Sequence, residues 1–321
     1  MPELSPIESC QARFHQRWQH LSDPHVRALA WLLDAPDLLD PQAPQWRGLI
    51  ATLSGVPDQQ TIAWLAALDA APQALHAYLG IGPYTRLGRY AEKLMAFYFQ
   101  HRGILFAHGI QVRADKNHTV GEFDFLLREG DALLHLEFAT KFYLLESSGT
   151  GLEADYFVGP NLADTLGAKM RKILDRQLSL AQHPAAQVHL PQAIATAQAL
   201  VKGWLFYHAD DSHAAPSMGV SAAHCRGFWC ASSELRDASQ EQNMRYAILP
   251  RLSWLAPARV RFEQTLSRQQ LLESLQMYFA QDTMPVLVAV VAECDSWMIE
   301  MRRGFIVPDD WRRRASERVQ K

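Results

Sequence analysis

The chain has 321 residues, a net charge of −3 and a sequence pI of about 6.5, and 48% of its residues are hydrophobic. This composition is typical of a globular protein with a large core, and it excludes a strongly basic nucleic-acid coat. Any contact with nucleic acid therefore requires a local patch. The four cysteines predict no disulfide framework, and His224, Cys225 and Cys230 fit no common zinc spacing, so we expect free thiols.

Two segments bear on the cellular compartment. The segment "MPELSPIESCQARFHQRW" carries charges and lacks the apolar stretch of a secretory signal. The longest apolar run, "PVLVAVVAEC" at 285–294, is too short to span a bilayer. The sequence therefore predicts a cytoplasmic protein with no membrane partner.

Taken in chain order, the patterns predict an α/β protein in three parts. Residues 1–82 form a helical N-terminal region, because apolar residues recur at helical spacing between proline-containing loops. Residues 83–239 form the core, in the order helix, three strands, helix, strand. Its predicted elements are a helix at 83–103 with Pro83 in its first turn and Gly103 as its stop, a strand at 104–114, a hairpin at 121–145, a long helix at 159–184, and strands at 201–208 and 227–232.

Residues 240–321 form an αβ extension packed on the core. An amphipathic helix is predicted at 267–281, and a buried strand at 284–294 is expected to pair with 296–307. The basic ending "WRRRASERVQK" is interpreted as a solvated terminus rather than a phosphate site.

The hairpin "GEFDFLLREGDALLHLEFATKFYLL" (121–145) allows its register to be predicted. Gly130-Asp131 is a favoured two-residue turn, so Glu129 faces Ala132. Counting outward predicts four further pairs: Leu126 with His135, Asp124 with Glu137, Glu122 with Ala139, and Val120 with Lys141. The predicted core face holds Phe123, Phe125, Leu127, Leu134, Leu136, Phe138 and Phe142.

The opposite face collects charge. It holds Glu122, Asp124, His135, Glu137 and Lys141. Two carboxylates directly opposite each other repel, and a divalent cation with a preference for hard oxygen ligands, such as Mg²⁺, would remove that repulsion. The alternative is an ordinary half-exposed hairpin whose acids are solvated, and the hairpin by itself favours that alternative.

The flanking helices add two polar residues in apolar surroundings. Glu92 has Gly88, Met95 and Phe99 as helical neighbours, and Gln177 continues an apolar stripe. Each residue alone is typical of an ordinary hydrogen-bonded side chain. Their order is more informative, because it runs Glu on a helix, Asp on a strand, Glu and Lys on the paired strand, and Gln on the next helix.

This order resembles the PD-(D/E)XK, or restriction-endonuclease-like, superfamily of nucleases. The segments "LGRYAEKL", "GEFDFLL", "HLEFATKFYL" and "DRQLSL" resemble a bacterial family of unknown function placed in that superfamily. The resemblance implies a mixed β-sheet core flanked by helices over residues 83–232. It also implies phosphodiester hydrolysis on DNA or RNA with Mg²⁺ (or Mn²⁺), held by Glu92, Asp124 and Glu137. In such enzymes a lysine, here Lys141, and a residue at the position of Gln177 assist.

The sequence departs from the superfamily pattern at two positions. Phe123 stands where a proline precedes the first strand acid, and Ala139 stands where the lysine is expected. Lys141 shares the face of Ala139 but lies about 6.6 Å further along the strand. Lys169 on the following helix is an alternative source of the charge, and His135 is either a base or, as we favour, a filler of a polar gap.

Two further hypotheses stay open because of the displaced lysine. The first is a catalytically inactive nuclease-like module that binds nucleic acid or a protein partner. The second is a purely protein-interacting regulator with a vestigial pocket. Basic residues of the second helix would contact phosphates in a nuclease, although their mixture with acids favours a solvated face. These residues are Lys169, Arg171, Lys172 and Arg176.

Overall fold

The computed structural model describes residues 9–53, 55, 57–80, 84–116, 118–146, 154–209, 219–237 and 244–319. The α/β class is confirmed, because a large mixed sheet is flanked by helices. The helices are α1 (Cys10–Trp18), α2 (Pro24–Asp34), α3 (Gln59–Ala70), α4 (Gln73–Leu79), α5 (Leu87–His101), α6 (Leu166–Lys172), α7 (Ser232–Asp237), α8 (Arg268–Phe279) and α9 (Trp311–Val319). The strands are β1 (Leu105–Arg113), β2 (Thr119–Glu129), β3 (Ala132–Leu145), β4 (Phe157–Val158), β5 (Ile194–Tyr207), β6 (Cys225–Ala231), β7 (Arg245–Ile248), β8 (Arg259–Val260), β9 (Val286–Cys294) and β10 (Trp297–Val307).

The main path of the sheet runs β1-β2-β3-β5-β6-β10-β9-β7, with β4 beside β3 and β8 beside β10. Strands β3, β5, β6 and β10 are mutually parallel, and antiparallel pairs extend the sheet at both ends. The regions 83–239 and 240–321 therefore contribute strands to one continuous sheet. No helix in the described ranges combines the length and apolarity needed to cross a membrane.

Different helices pack on the two faces of the sheet. Alternate side chains of β3 and β5 point to one face or the other and so contact different helices. Phe138, Phe142 and Trp204 join a large core with α2 and α5, in which Trp31 stacks on Trp204 with ring centres 6.1 Å apart. Tyr143 and Leu205 point the other way and join a second core with α6. The described residues of the range 9–80 supply α1 to α4.

The predicted long helix at 159–184 is wrong. Only Leu166–Lys172 is α-helical, followed by a π-helical turn at Ile173–Gln177 and 3₁₀ turns at Leu180–Gln182 and Pro184–His189. The helix starts late because Val158 and Thr165 form an isolated β-bridge, and the Thr165 hydroxyl then accepts the first-turn amide of Ala168 at 3.2 Å. Periodicity alone does not reveal such a bridge or the extra residue of a π-turn.

The other predicted elements differ mainly at their ends. Helix α5 stops before Gly103, which has φ of +69° and is the expected glycine stop, whereas Pro83 lies outside the described residues. Strand β5 begins at Ile194, ahead of the predicted 201. Strands β9 and β10 pair antiparallel as predicted, and the described part of the basic ending forms α9.

Candidate acidic site at the fork of a hairpin

The hairpin of β2 and β3 has the predicted turn and then forks. Pairing runs from Glu129–Ala132 through Leu126–His135, as predicted, and its last pair is Phe125–Leu136. Beyond that pair, β2 continues along β1 and β3 continues along β5. The predicted pairs Asp124–Glu137, Glu122–Ala139 and Val120–Lys141 are therefore wrong, because the pairing ends at Phe125–Leu136. Glu122 faces Gln111 of β1 instead, and Lys141 faces Gly203 of β5.

Asp124 lies at the opening of this fork. Its Oδ2 accepts the backbone N–H of Phe138 at 3.0 Å, so the side chain takes the place of a ladder bond between the separating strands. The alternation of β2 also changes here. Phe123 was predicted on the core face with Phe125, but it packs in a separate cluster with Leu126 and Leu180. The carboxyl group is thereby directed into the gap between the strands.

Glu137 is held from both sides of its carboxylate. It is only 2% exposed, its Oε1 is 2.8 Å from His135 Nε2, and its Oε2 accepts Gln177 Nε2 at 2.7 Å. Burial lowers the pKa of His135 to about 4, so the imidazole is neutral at pH 7. The polar-gap interpretation of His135 fits this contact, although Nδ1 has no hydrogen-bond partner in the described part of the chain.

Glu92 approaches from the other face of the sheet, because it lies on α5. Its carboxyl group lies beside Gly88 one turn earlier, because a Cβ there would be at ordinary contact distance, 3.8 Å from Glu92 Oε1. Burial, and then the charges of Asp124 and Glu122, raise the pKa of Glu92 to about 7. The fork is thus where acids from the two sides of the sheet influence one another.

The positive charge near the fork is too small for all of its acids to be ionised at neutral pH. Burial and then the neighbouring Glu137 raise the pKa of Asp124 to about 7. Burial is also the main cause that raises the pKa of Glu137 to about 7. Each carboxyl group acts on the pKa of the other, so the pair favours a protonated form near neutral pH.

Lys141 belongs electrostatically to the same site despite its displacement. Burial, with Lys169 as a second cause, lowers its pKa to about 8, whereas the charges of Asp124 and Glu92 act in the opposite direction. Its backbone is fixed by Gly203 of β5, because a Cβ there would lie 1.9 Å from the Lys141 carbonyl oxygen. Lys141 and Lys169, the two predicted sources of positive charge, therefore lie near each other.

Lys141 also lines an open cleft of about 460 Å³. Arg86 and Arg251 contribute to its rim, and both side chains are exposed. Asp164 lies on the same cleft, where its Oδ2 accepts the Tyr143 hydroxyl at 3.2 Å. The cleft gives the lysine side of the fork access to a ligand from solvent.

Sequence reasoning placed Glu122 on the polar face but left it out of the site. The structure includes it, because its charge raises the pKa of Glu92, Asp124 and Glu137. Its Oε1 would lie 3.6 Å from a Cβ on Gly109 of β1. Alternation with Asp124 was the signal that could have identified it. Nothing in the sequence identified Arg86, Arg251 or Asp164 as neighbours of Lys141.

The donor set at the fork fits a divalent cation in its chemistry but not in its present grouping. The excess of buried carboxyl groups suits a cation in charge and in ligand type. In the present arrangement, however, no three His, Cys, Asp or Glu side chains within the described residues are grouped closely enough to hold one ion. The acids form a protonated cluster rather than a finished coordination sphere, so an ion would have to displace protons.

The cysteines bear out the prediction of free thiols: Cys10, Cys225, Cys230 and Cys294 are all unbridged. His224 is engaged elsewhere, because its Nε2 is 2.8 Å from the Tyr207 hydroxyl and its Nδ1 is 2.6 Å from the Ser221 carbonyl oxygen. Both ring nitrogens therefore have partners other than a metal.

Fold and site together define an α/β protein with a large mixed sheet and a buried acidic cluster at the fork of one hairpin. Its family is known: residues 27–307 match "Domain of unknown function (DUF1853)", so the chain belongs to that family. The matched range contains all four acids of the cluster. Comparison with curated proteins and with solved structures gave no match.

Proposed function

We propose that the protein is a Mg²⁺- or Mn²⁺-dependent nuclease of the PD-(D/E)XK type, which hydrolyses phosphodiester bonds of DNA or RNA. The observation that carries this proposal is the mutual influence of Glu92, Asp124 and Glu137 at the fork: their pKa values are raised to about 7, and the charge of Lys141 acts on Glu92 and Asp124. Strongly shifted pKa values in a buried cluster are typical of functional sites. The proposal includes a restriction-endonuclease-like fold, which the helix, three strands, helix, strand order supports.

The displaced lysine is compatible with this proposal. The charge of Lys141 acts on both Glu92 and Asp124, so the lysine influences the cluster from two residues beyond Ala139. A lysine of lowered pKa is also less strongly solvated, which suits contact with a phosphoryl oxygen. Arg86 and Arg251 at the cleft rim would contact neighbouring phosphates of a polynucleotide.

The roles of the residues follow from their contacts. A bound divalent cation would supply an activated water and offset charge on the phosphorus. The carboxylate oxygens that bind it would come from Asp124, Glu137 and Glu92, once these groups have lost their protons. Gln177 and His135 each hold one oxygen of Glu137, so they fix the orientation of that carboxylate. Lys141 places its charge on the cleft side of the cluster.

The second candidate is a catalytically inactive module on the same fold that binds nucleic acid. Two observations favour it: Ala139 occupies the usual lysine position, and both Glu137 oxygens already have protein partners. Such a module would retain polynucleotides in a salt-sensitive way through the basic residues at the cleft rim.

Cleavage assays separate the two candidates. Plasmid, single-stranded DNA and structured RNA would each be incubated with Mg²⁺, with Mn²⁺ and with a chelator. We expect metal-dependent cleavage of at least one substrate, lost in Asp124→Asn and retained in Glu129→Gln, a matched change at an exposed acid on the same strand. Cleavage that Asp124→Asn leaves intact would contradict the nuclease proposal, whereas salt-sensitive binding without cleavage would support the inactive module.

A further inference from the structure

A second reactive group lies away from the acidic fork, where α1 meets the sheet. Cys10 is the first residue of α1, and Cys225 is the first residue of β6. The two residues are 215 positions apart in the chain (225 − 10), yet their side chains lie close enough for each thiol to affect the pKa of the other. Both side chains line one small cavity of about 10 Å³, with Trp31 and Pro36 on its wall.

The surroundings of Cys10 favour its thiolate. Arg13 Nη2 is 4.0 Å from the Cys10 sulfur. The N-terminus of α1 adds the positive end of a helix dipole. The neighbouring Cys225 thiol is the largest cause that lowers the pKa of Cys10, and the charge of Arg13 and the backbone of Arg226 add to it.

The two thiols differ in access, which gives them different chemical roles. Cys10 is partly exposed, whereas Cys225 is buried with 1% of its surface accessible. Burial raises the pKa of the Cys225 thiol, so this residue is unreactive toward reagents in solution. Cys225 is therefore placed to react with its neighbour rather than with an external oxidant.

We propose that Cys10 is a peroxide-reactive thiol that closes a reversible disulfide with Cys225. In the first step the Cys10 thiolate attacks a hydroperoxide; an S–O bond forms, the O–O bond breaks, and the leaving oxygen takes a proton. In the second step the Cys225 sulfur attacks the sulfenic acid; the S–S bond forms and the S–O bond breaks. The hydroxide takes the Cys225 proton and leaves as water.

The balance with hydrogen peroxide is two thiols oxidised to one disulfide and one peroxide reduced to two waters. Bridged cysteines need closely facing side chains, and the shared wall of so small a cavity brings these two together. The bond would join α1 to β6, and a dithiol reductant would reverse it. This proposal is independent of the nuclease proposal, because it involves none of the residues at the fork.

The test treats the full chain with hydrogen peroxide and follows each cysteine by mass spectrometry. In wild type we expect a Cys10–Cys225 linked peptide that thiol reductant releases, formed before oxidation of the fully exposed Cys294. In Cys225→Ser we expect a Cys10 sulfenic acid that a dimedone probe traps. Failure of the linked peptide to form while Cys294 is oxidised would overturn the proposal.

A rate comparison tests the environment without altering either cysteine. Alkylation of Cys10 by iodoacetamide at pH 7 should be about fivefold slower in Arg13→Gln than in wild type, with the rate at Cys294 unchanged as the internal control. The circular dichroism spectrum would verify that the variant is folded. Equal Cys10 rates in the two folded proteins would also count against an activated thiolate.

Discussion

Two buried charged clusters in this molecule are built in opposite ways. Glu300 and Arg303 of β10 are both 0% exposed and pair through two contacts, at 2.6 and 2.8 Å. Every remaining group is matched: Glu300 accepts the Ala258 amide and the Gln11 side chain, while Arg303 donates to the carbonyls of Trp254 and Ala256. The acidic fork instead collects Glu92, Glu122, Asp124 and Glu137, with Lys141 as a cationic neighbour whose pKa burial lowers to about 8.

The difference shows how a fold uses buried charge. The Glu300–Arg303 pair is saturated, so its charges are neutralised within the structure and it joins β10 to the segment before β8. The fork is under-compensated, and its carboxyl groups respond by holding protons near neutral pH. A cluster of the second kind gains stability from a ligand that brings positive charge, which is the property expected of a binding site.

The largest expected effect comes from a substitution that breaks the Glu300–Arg303 ion pair. Arg303→Met should destabilise the protein by about 3–5 kcal/mol, because it leaves the Glu300 carboxylate buried without its partner. Urea unfolding followed by circular dichroism measures this change. The double variant Glu300→Leu, Arg303→Met should recover much of the loss, and a double variant as unstable as the single one would contradict the assignment of a structural ion pair.

A second substitution, at Lys141, distinguishes the role of the lysine from the role of the acids. If the protein is a nuclease, Lys141→Met should lower the rate of cleavage about hundredfold, because a charge beside the scissile phosphate is lost. Mn²⁺ binding should persist in this variant, since the carboxyl groups remain. Loss of Mn²⁺ binding with the fold intact would show that Lys141 supports the acids rather than the substrate.

Asp124→Asn should have the opposite sign in stability from Arg303→Met. The pKa of Asp124 rises from 3.8 to about 7 on folding, so the fold favours the protonated form, and stability is lost as the pH rises through about 7. Asparagine remains neutral and can still accept the Phe138 amide. The variant should therefore be more stable than wild type by about 2 kcal/mol at pH 8 and equal to it near pH 4.

Thermal or urea unfolding of the metal-free protein at both pH values checks this prediction. Glu129→Gln serves as the control, because this exposed acid on β2 should change stability little at either pH. A destabilised Asp124→Asn at pH 8 would mean that the charge of Asp124 is compensated in the fold.

The smallest expected effect concerns the orientation of the Glu137 carboxylate. Gln177→Ala removes the donor to Glu137 Oε2 but leaves His135 on Oε1, so Mn²⁺ affinity should fall about tenfold. Calorimetric titration measures the affinity. An unchanged affinity would indicate that Gln177 serves only the packing of the π-turn.

Local chemistry made part of this structure predictable from sequence. The Gly130-Asp131 turn set the register as far as Leu126–His135, because a two-residue turn fixes the pairs that follow. Alternation then placed Glu122 with the other acids, and helical spacing identified Glu92 as a carboxylate in apolar surroundings.

Long-range competition made the rest unpredictable. The hairpin forks because β2 pairs with β1 and β3 pairs with β5. The sequence of the hairpin does not specify either of these pairings. A π-turn brings Gln177 to Glu137, but the apolar pattern of this segment is that of one continuous α-helix and does not reveal the turn. The cavity shared by Cys10 and Cys225 depends on where α1 packs against the sheet, and no local sequence pattern predicts that position.

The most direct test of the central claim is a calorimetric titration of Mn²⁺ into wild type and Asp124→Asn at pH 8, where the acids are largely ionised. We predict binding to wild type and to Glu129→Gln, weaker binding at pH 6 because protons compete for the carboxylates, and no binding to Asp124→Asn. Indistinguishable titrations of wild type and Asp124→Asn would contradict the claim that the fork is a cation site.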